Sequence, residues 1–496
     1  MGRSFLSFNL FKSGKAIKPG VNRMDVSSEH KERPKARNLR ELIESGYSVL
    51  SVREEMRKNL IQKIESGEEL FPGIVGFEES VIPQVENAIL SGQDIIFVGE
   101  RGQAKSRMIR ALVGFLDDEV PTIAGCEIND NPYRPICKSC RDKIERSGDE
   151  VAIAWIPREL RYGEKLATPD TAIADLIGEV DPIRVAEGRY LSDELTIHYG
   201  LIPRTNRGIF CINELPDLAE RIQVGLFNIL EERDVQIRGY KIRMPLDVYI
   251  VASANPEDYT NRGRIITPLR DRYGSEIRTH YPRTLEHEIE IMEREKTIFG
   301  DDTCQTIVPQ YMREIVAEIT RQARRSPEIN QRSGVSVRVS IANYETLVSC
   351  SVRRAIRLGE KQVPPRIGDL PFLVASTKGK IELESGEEDK EGQLIDGLIR
   401  SAVLATFNRY FSVHDFDDFL ERFKSSFIIE VSSSMGSKEY VKIVQPVGGL
   451  ADKMERLEAG DNPATIASAL EFILEGLHLN RRLNKDKLEG RAVYRG

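Results

Sequence analysis

Gly99-Glu100-Arg101-Gly102-Gln103-Ala104-Lys105-Ser106 is the stretch on which the reading of this chain turns. The apolar run Ile95-Ile96-Phe97-Val98 precedes it, and apolar residues at helical spacing follow it (Met108, Ile109, Leu112, Val113, Leu116). A strand, a glycine-bearing loop and Lys-Ser opening a helix have the layout of a phosphate-binding P-loop. Loop N–H groups and the helix N-terminus cradle a polyphosphate, Lys105 reaches its terminal phosphates, and Ser106 meets a bound Mg²⁺. The usual glycine before the lysine is replaced by Ala104. That residue is tolerable there if its φ is negative.

The chain has 496 residues, enough for several domains. It is 40% hydrophobic and 30% charged, a globular composition. No uninterrupted apolar run approaches the roughly 20 residues of a membrane span. The first residues lack the apolar core of a secretory signal, and Leu6 breaks the N-myristoylation pattern, so a cytoplasmic location is expected. The net charge of −7 is uneven: residues 1–40 carry ten Lys/Arg against three carboxylates, a +7 that leaves −14 for the remainder. An acidic body argues against sequence-specific nucleic-acid binding. The basic leader reads as a solvated tail, with an anionic partner as the alternative. Six cysteines in so long a chain do not suggest a disulfide framework.

Residues 1–37 read as a disordered basic leader and 38–70 as a helical N-terminal segment. Over 71–282 short apolar strands alternate with helices, the pattern of an α/β core with a parallel sheet. The strand candidates are Ile95–Val98, Val151–Ile156, Gly208–Ile212, Val248–Ala252 and Glu276–His280. Residues 283–375 read as an all-α domain, with helices over Leu285–Lys296, Pro309–Arg324 and Ser340–Leu358. A charged, glycine-containing linker follows at Gly379–Glu391, inside a mainly helical region 376–496. Phe427-Ile428-Ile429 is ambiguous, and the basic run from His478 reads as a helix end with solvated charges.

A P-loop ATPase needs a second strand ending in acidic residues, which serve the Mg²⁺ shell and polarise the attacking water. Gly208-Ile209-Phe210-Cys211-Ile212-Asn213-Glu214 fits, with Asn213 in place of the expected Asp and Glu214 as the candidate base. A third strand, Val248–Ala254, ends at Asn255-Pro256. Placed between the other two, Asn255 would orient the water; by itself an Asn-Pro is a turn. Pro268-Leu269-Arg270-Asp271-Arg272-Tyr273-Gly274 offers arginines just before the last core strand. They read either as a finger for a neighbouring subunit's nucleotide or as solvated loop residues.

In this order, these elements resemble an AAA+ ATPase, and more narrowly the I subunit of magnesium chelatase and the related MoxR-type ATPases. The resemblance covers roughly residues 70–360. It implies an α/β AAA+ parallel-sheet core with a helix-2 insertion, an all-α lid and a helical C-terminal region. Phe71-Pro72-Gly73-Ile74-Val75-Gly76 matches the segment that lies against adenine, which implies contacts from Ile74 and Val75. Arg110-Ala111-Leu112 matches the helix after the P-loop. Leu176–Asp181 with Glu187-Gly188-Arg189-Tyr190 resembles the helix-2 insertion. Aligning the finger motif puts the finger at Arg272, with Arg270 as an alternative, and Arg338 falls at the lid arginine (sensor 2).

The resemblance implies ATP and Mg²⁺ as cofactors, with Ser106 and Asn213 at the metal and Glu214, Asn255, Arg272 and Arg338 at the reaction. It further implies an ATP-hydrolysing motor in a homo-oligomeric ring, a hexamer, that remodels a partner with a von Willebrand A domain. Asn213 leaves a second reading open, a hydrolysis-impaired, nucleotide-gated scaffold. A sigma-54-type activator shares the core, but no GAFTGA-like loop and no C-terminal helix-turn-helix is evident. Cys126, Cys137 and Cys140 have spacing suited to three ligands of a structural Zn²⁺ site, without an evident fourth Cys or His. Free thiols in a loop are the alternative.

Overall fold

A computed structural model describes residues 35–181, 183, 186, 194–236, 243–256, 263–297, 299, 304–384, 388–423, 427–444, 449–488 and 491–496. Its centre follows from the apolar runs. Strands that are apolar at every position, with no polar alternation, belong to sheets covered on both faces. Ile95–Val98 (β1), Gly208–Asn213 (β3) and Val248–Ala254 (β4) are buried at every residue. With Tyr162–Leu166 (β2) and Ser275–Arg278 (β5) they form one parallel sheet in the order β5-β1-β4-β3-β2.

Successive side chains of these strands point to opposite faces. Ile96, Val98, Phe210, Ile212, Ile250 and Ala252 enter one core, while Ile95, Phe97, Ile209, Cys211, Tyr249 and Val251 enter the other. The second face is covered by Val52–Ser66 (α1) and Lys105–Ala111 (α2). Ser51 and Glu54 close a capping box at the start of α1, and Gly67 ends it at φ 69°.

One of the expected strands departs from expectation. Val151–Ile156 is not in the parallel sheet: Ile153–Pro157 pairs antiparallel with Glu119–Ile123 as a separate ribbon. The sheet's edge is Tyr162-Gly163-Glu164-Lys165-Leu166, which is only half-buried. Beyond it, Gly178–Val180 and Ile197–Tyr199 form a small hairpin after the helix Ile173–Ile177. This is the location of the expected insertion, although Glu187-Gly188-Arg189-Tyr190 lies outside the described residues. The leader 1–34 lies outside them as well.

Leu285–Glu295 (α3), Gln310–Ala323 (α4) and Arg338–Leu358 (α5) follow the sheet. They share one hydrophobic core with Glu388–Tyr410 (α6) and Pro463–Leu479 (α7), running from Leu285 to Tyr494. A Cβ at Gly476 would meet Phe407 at 2.0 Å, so α6 and α7 touch where only glycine fits. The ambiguous Phe427-Ile428-Ile429 leads into Ile428–Ser432, in a three-stranded antiparallel sheet with Asn484–Leu488 and Arg491–Arg495. The basic run from His478 is a helix end only to Leu479, then a strand from Asn484. Among the described residues no helix is long and apolar enough to cross a membrane.

Two ion networks, one fully buried and one around the buried Asp94, fasten α1 and the sheet. Arg161 binds Glu55 through both guanidinium Nη atoms, at 2.7 and 2.6 Å, and donates from Nε to the Arg207 carbonyl at 2.7 Å. Asp94 takes Arg53 at 2.7 Å and Arg233 at 2.5 Å, and also accepts the Ile250 N–H at 3.0 Å. Removing one member of such a pair strands a buried charge. Glu55→Gln should therefore cost about 3–5 kcal/mol in urea unfolding, whereas the apolar pair Glu55→Leu/Arg161→Met should recover most of that loss.

Candidate functional site

All five strands run the same way, so their C-terminal ends share one edge, where loops from different strands meet. The P-loop leaves β1 at Val98, which is in register with Ala254 of β4. Lys105 Nζ donates to the carbonyls of Gly99 at 2.5 Å and Glu100 at 2.9 Å, and to Asn255 Oδ1 at 2.6 Å. Asn255 Nδ2 donates in turn to Glu214 Oε2 at 2.7 Å. The expected lysine, asparagine and glutamate are thus joined in one hydrogen-bonded line across β1, β4 and β3.

Loop geometry depends on positive φ. Gly102 lies at φ 75°, and a Cβ there would meet Ser336 Oγ at 2.0 Å, so the lid segment before α5 presses on the loop. Ala104 lies at φ 55°, in the left-handed region. The condition of a negative φ is therefore not met. The loop imposes the glycine conformation on an alanine, at about 1–2 kcal/mol of backbone strain.

A cleft of about 550 Å³ opens over this loop. Gly73, Ile74, Val75, Arg101 to Ser106, Glu214, Asn255 and Arg338 line it, so the expected adenine, phosphate and lid contacts converge on one space. Gly99 and Glu100 contribute through the carbonyls that hold Lys105. Sequence reasoning missed Arg107, Arg110 and Arg294 as lining residues, because arginines on exposed helical faces carry no positional signal. The cleft walls hold six cationic side chains (Arg101, Lys105, Arg107, Arg110, Arg294, Arg338) against Glu214 and Glu295. That excess fits a polyphosphate anion. Arg107 pairs with Glu295 of α3, which joins core to lid, and within the core Tyr281 Oη donates to the Arg101 carbonyl at 2.9 Å.

The Sigma-54 interaction domain family matches residues 187–269, which include β3 and β4. The ChlI subunit of magnesium chelatase from Nostoc sp. is 27% identical over 280 residues, 54% of this chain and 70% of the relative. The 38 kDa subunit of magnesium chelatase from Cereibacter sphaeroides is 28% identical over 235 residues, 47% of this chain and 64% of the relative. A ChlI homolog from Methanocaldococcus jannaschii is 27% identical over 241 residues, 45% and 58%. The chain thus spans less than two thirds of the last two. The chain is thus similar to the magnesium-chelatase I subunits and, over residues 187–269, to the Sigma-54 interaction domain. Among solved structures, a BchI–BchD complex of magnesium chelatase shares 20% identity at a TM-score of 0.34, covering 67% of this chain and 95% of that one. NtrX from Brucella abortus with ADP shares 13% at 0.37, covering 71% and 66%.

Three of the expected residues stand apart from the cleft. Arg272 does not line it. Its guanidinium stacks on Phe227 at 4.5 Å and pairs with Glu231 at 2.6 Å. Arg270 pairs with Glu276 at 2.5 Å. Asn213 is buried beside the cleft, its Oδ1 accepting from Ser253 Oγ at 3.1 Å. Its Nδ2 donates to Glu164 on the neighbouring edge strand. Burial would raise the Glu164 pKa, but hydrogen bonds from Arg110 and Tyr162 outweigh it and hold the carboxyl below the ordinary value. Glu164 was missed because β2 does not look like a core strand.

The three cysteines do come together, with Asp130 as a fourth group: Cys126, Asp130, Cys137 and Cys140 place their ligand atoms within 4.8 Å of one another. A separate, more apolar groove of about 980 Å³ lies along α5, lined by Phe299, Val348 and Ile356, and shares none of the cleft's residues. For the cleft, relief of the strained alanine is measurable. Ala104→Gly should stabilise the protein by about 0.5–1 kcal/mol in thermal unfolding, the strain relieved less the entropy that glycine adds to the unfolded chain.

Proposed function

We propose that this chain binds and hydrolyses ATP as the subunit of an AAA+ ring and uses the cycle to remodel a partner protein. The line from Lys105 through Asn255 to Glu214, under a strongly cationic cleft, carries this reading. Ile74 and Val75 take the adenine end. Lys105 exchanges its loop carbonyls for phosphate oxygens, and Arg338 reaches the same phosphates from the lid. Ser106 would hold Mg²⁺, with Asn213 and the Glu164 carboxylate serving its hydration shell. Bound Mg²⁺ would neutralise charge on the β- and γ-phosphate oxygens. Glu214 accepts the proton of the attacking water, and Asn255 fixes the glutamate's orientation.

Arg272 is turned away from its own subunit's cleft, so in this reading it serves the cleft of a neighbour, which requires a closed ring. We assign that ring as a hexamer in the cytoplasm and, from the resemblance to I subunits, its partner as a protein with a von Willebrand A domain. Magnesium insertion into a tetrapyrrole forms no part of the proposal.

Steady-state phosphate release tests it. Glu214→Gln should lower turnover by about 10²–10⁴ while ATP binding persists. If the wild-type chain binds ATP but releases phosphate no faster than Glu214→Gln, the nucleotide-gated scaffold replaces the motor. Arg272→Ala should lower the rate by about 10³ or more. Mixing Arg272→Ala with Glu214→Gln subunits should restore part of the activity, because each supplies what its neighbour lacks. No recovery would place the arginine's role within its own subunit.

Asn213 is the specific observation that favours the scaffold reading, and Glu164 is the answer to it. Asn213→Asp sets two carboxylates side by side, and without Mg²⁺ it should destabilise the chain by about 1–3 kcal/mol. Adding Glu164→Gln should restore stability and keep turnover within roughly tenfold of wild type. A fully stable single Asn213→Asp variant would remove the coupling.

A further inference from the structure

Glu119–Ile123 runs into a turn that carries Cys126 and the fully buried Asp130. Cys137 then caps the helix Lys138–Ser147, with Cys140 in its first turn. In a tetrahedral zinc site with bonds of about 2.0–2.3 Å, neighbouring ligand atoms lie about 3.3–3.8 Å apart. The four ligand atoms here already lie within 4.8 Å of one another, so a contraction of about 1.5 Å at most would complete such a shell.

The surroundings suit thiolates. Cys126 Sγ accepts the N–H groups of Ile128 at 3.4 Å and Asp130 at 3.3 Å, and Cys137 Sγ accepts that of Cys140 at 3.4 Å. The Asp130 carboxylate accepts the N–H groups of Ile136 at 3.2 Å and Cys137 at 3.0 Å. Among the described residues it faces no cationic side chain. A fully buried carboxylate without a cation is costly, and a metal ion would supply one. A Cys137–Cys140 disulfide would leave both that charge and the Cys126 thiol without a role.

We propose that Cys126, Asp130, Cys137 and Cys140 bind one structural Zn²⁺. Three soft thiolates select zinc over magnesium or calcium, and ligand atoms this close enclose a single ion. Four protein ligands leave no open position, so the ion is structural. It sits beside the start of β3: Asn206 Nδ2 donates to the Ile128 carbonyl at 3.0 Å, and Asn129 Nδ2 to the Arg204 carbonyl at 3.1 Å. Arg207 Nη1 reaches the Pro121 carbonyl at 2.6 Å. The ion therefore braces the entry to the strand whose far end carries Asn213 and Glu214. The assignment does not depend on ATP turnover.

The full chain, purified without chelators or a metal-affinity tag, should contain about one zinc per chain by mass spectrometry. A thiol-modifying mercurial should release it, and Co²⁺ in its place should give the thiolate charge-transfer and intense visible bands of a tetrahedral site. Cys126→Ser/Cys140→Ser should lose the metal, and Cys350→Ala should keep it. Asp130→Asn should shift the visible Co²⁺ bands, and unchanged bands would remove Asp130 from the shell. Less than about 0.2 zinc per chain in the wild-type protein, with free thiols or a mapped Cys137–Cys140 disulfide, overturns the site whether or not the variants fold.

Discussion

Asn255 can touch both Lys105 and Glu214 only because β4 is threaded between β1 and β3. The three side chains come from positions 150 and 41 residues apart, and no local propensity brings them together. A parallel sheet does so because its strands end on one edge and its crossovers free the chain order from the spatial order. Register then sets the fine placement: Val98 faces Ala254 and Ile212 faces Ala252, so Asn255 emerges between the loop and the acidic turn. At the opposite edge Asp94, just before β1, ties Arg53, Arg233 and the Ile250 N–H of β4 together, which fixes these two strands from below. A shift of one residue in β4 would invert its faces and separate the line.

The site also concentrates backbone strain. Ala104 and Glu214 both adopt positive φ, at 55° and 54°, although neither is glycine. Such residues persist only where their surroundings over-determine them, and these two flank the same cleft. The N–H of Glu214 is held by Ser253 Oγ at 3.2 Å, and the loop before Ala104 is pinned by Ser336 and by the Lys105 contacts. Closure from the lid is equally specific. Arg324 joins Glu288 through two bonds at 2.7 and 3.1 Å and lies over the Tyr281 ring, whose hydroxyl holds the P-loop. Arg324 through Tyr281, Ser336 against Gly102 and Glu295 with Arg107 thus each join the helical segment to the P-loop or to the helix that follows it.

What the sequence disclosed tracks how strongly tertiary burial marks residues. Ile95–Val98, Gly208–Ile212 and Val248–Ala252 are continuous apolar runs because both faces of the sheet are covered, and they read as strands at once. Tyr162–Leu166 escaped because an edge strand tolerates Glu164 and Lys165, while the more apolar Val151–Ile156 belongs to an isolated ribbon. The C-terminal strands Asn484–Leu488 and Arg491–Arg495 escaped because they are charged segments, the first at the edge of a small sheet and the second between it and Ile428–Ser432. The cleft lysine, serine, glutamate and asparagine were legible because their motifs are local; its arginines were not. Asp130, which stands with the three cysteines, was not legible because a lone carboxylate between them carries no spacing signal.

The replacement of an aspartate by Asn213 acquires a physical meaning only beside Glu164. An ionised aspartate and an ionised glutamate are both acceptors and cannot hydrogen-bond to each other. In contact they repel, and the pKa of one must rise. The amide of Asn213 removes that conflict: its Nδ2 donates to Glu164 while its Oδ1 accepts from Ser253. Glu164 remains ionised because Arg110 and Tyr162 bind it from the other side. One carboxylate therefore still stands next to the cleft, moved from the end of β3 to the adjacent strand. Its partner Arg110 lines that cleft, so an anion entering there competes with Glu164 for the same guanidinium. Positions 164 and 213 are thus one electrostatic unit, and a reading of either residue alone misjudges the charge that the site retains.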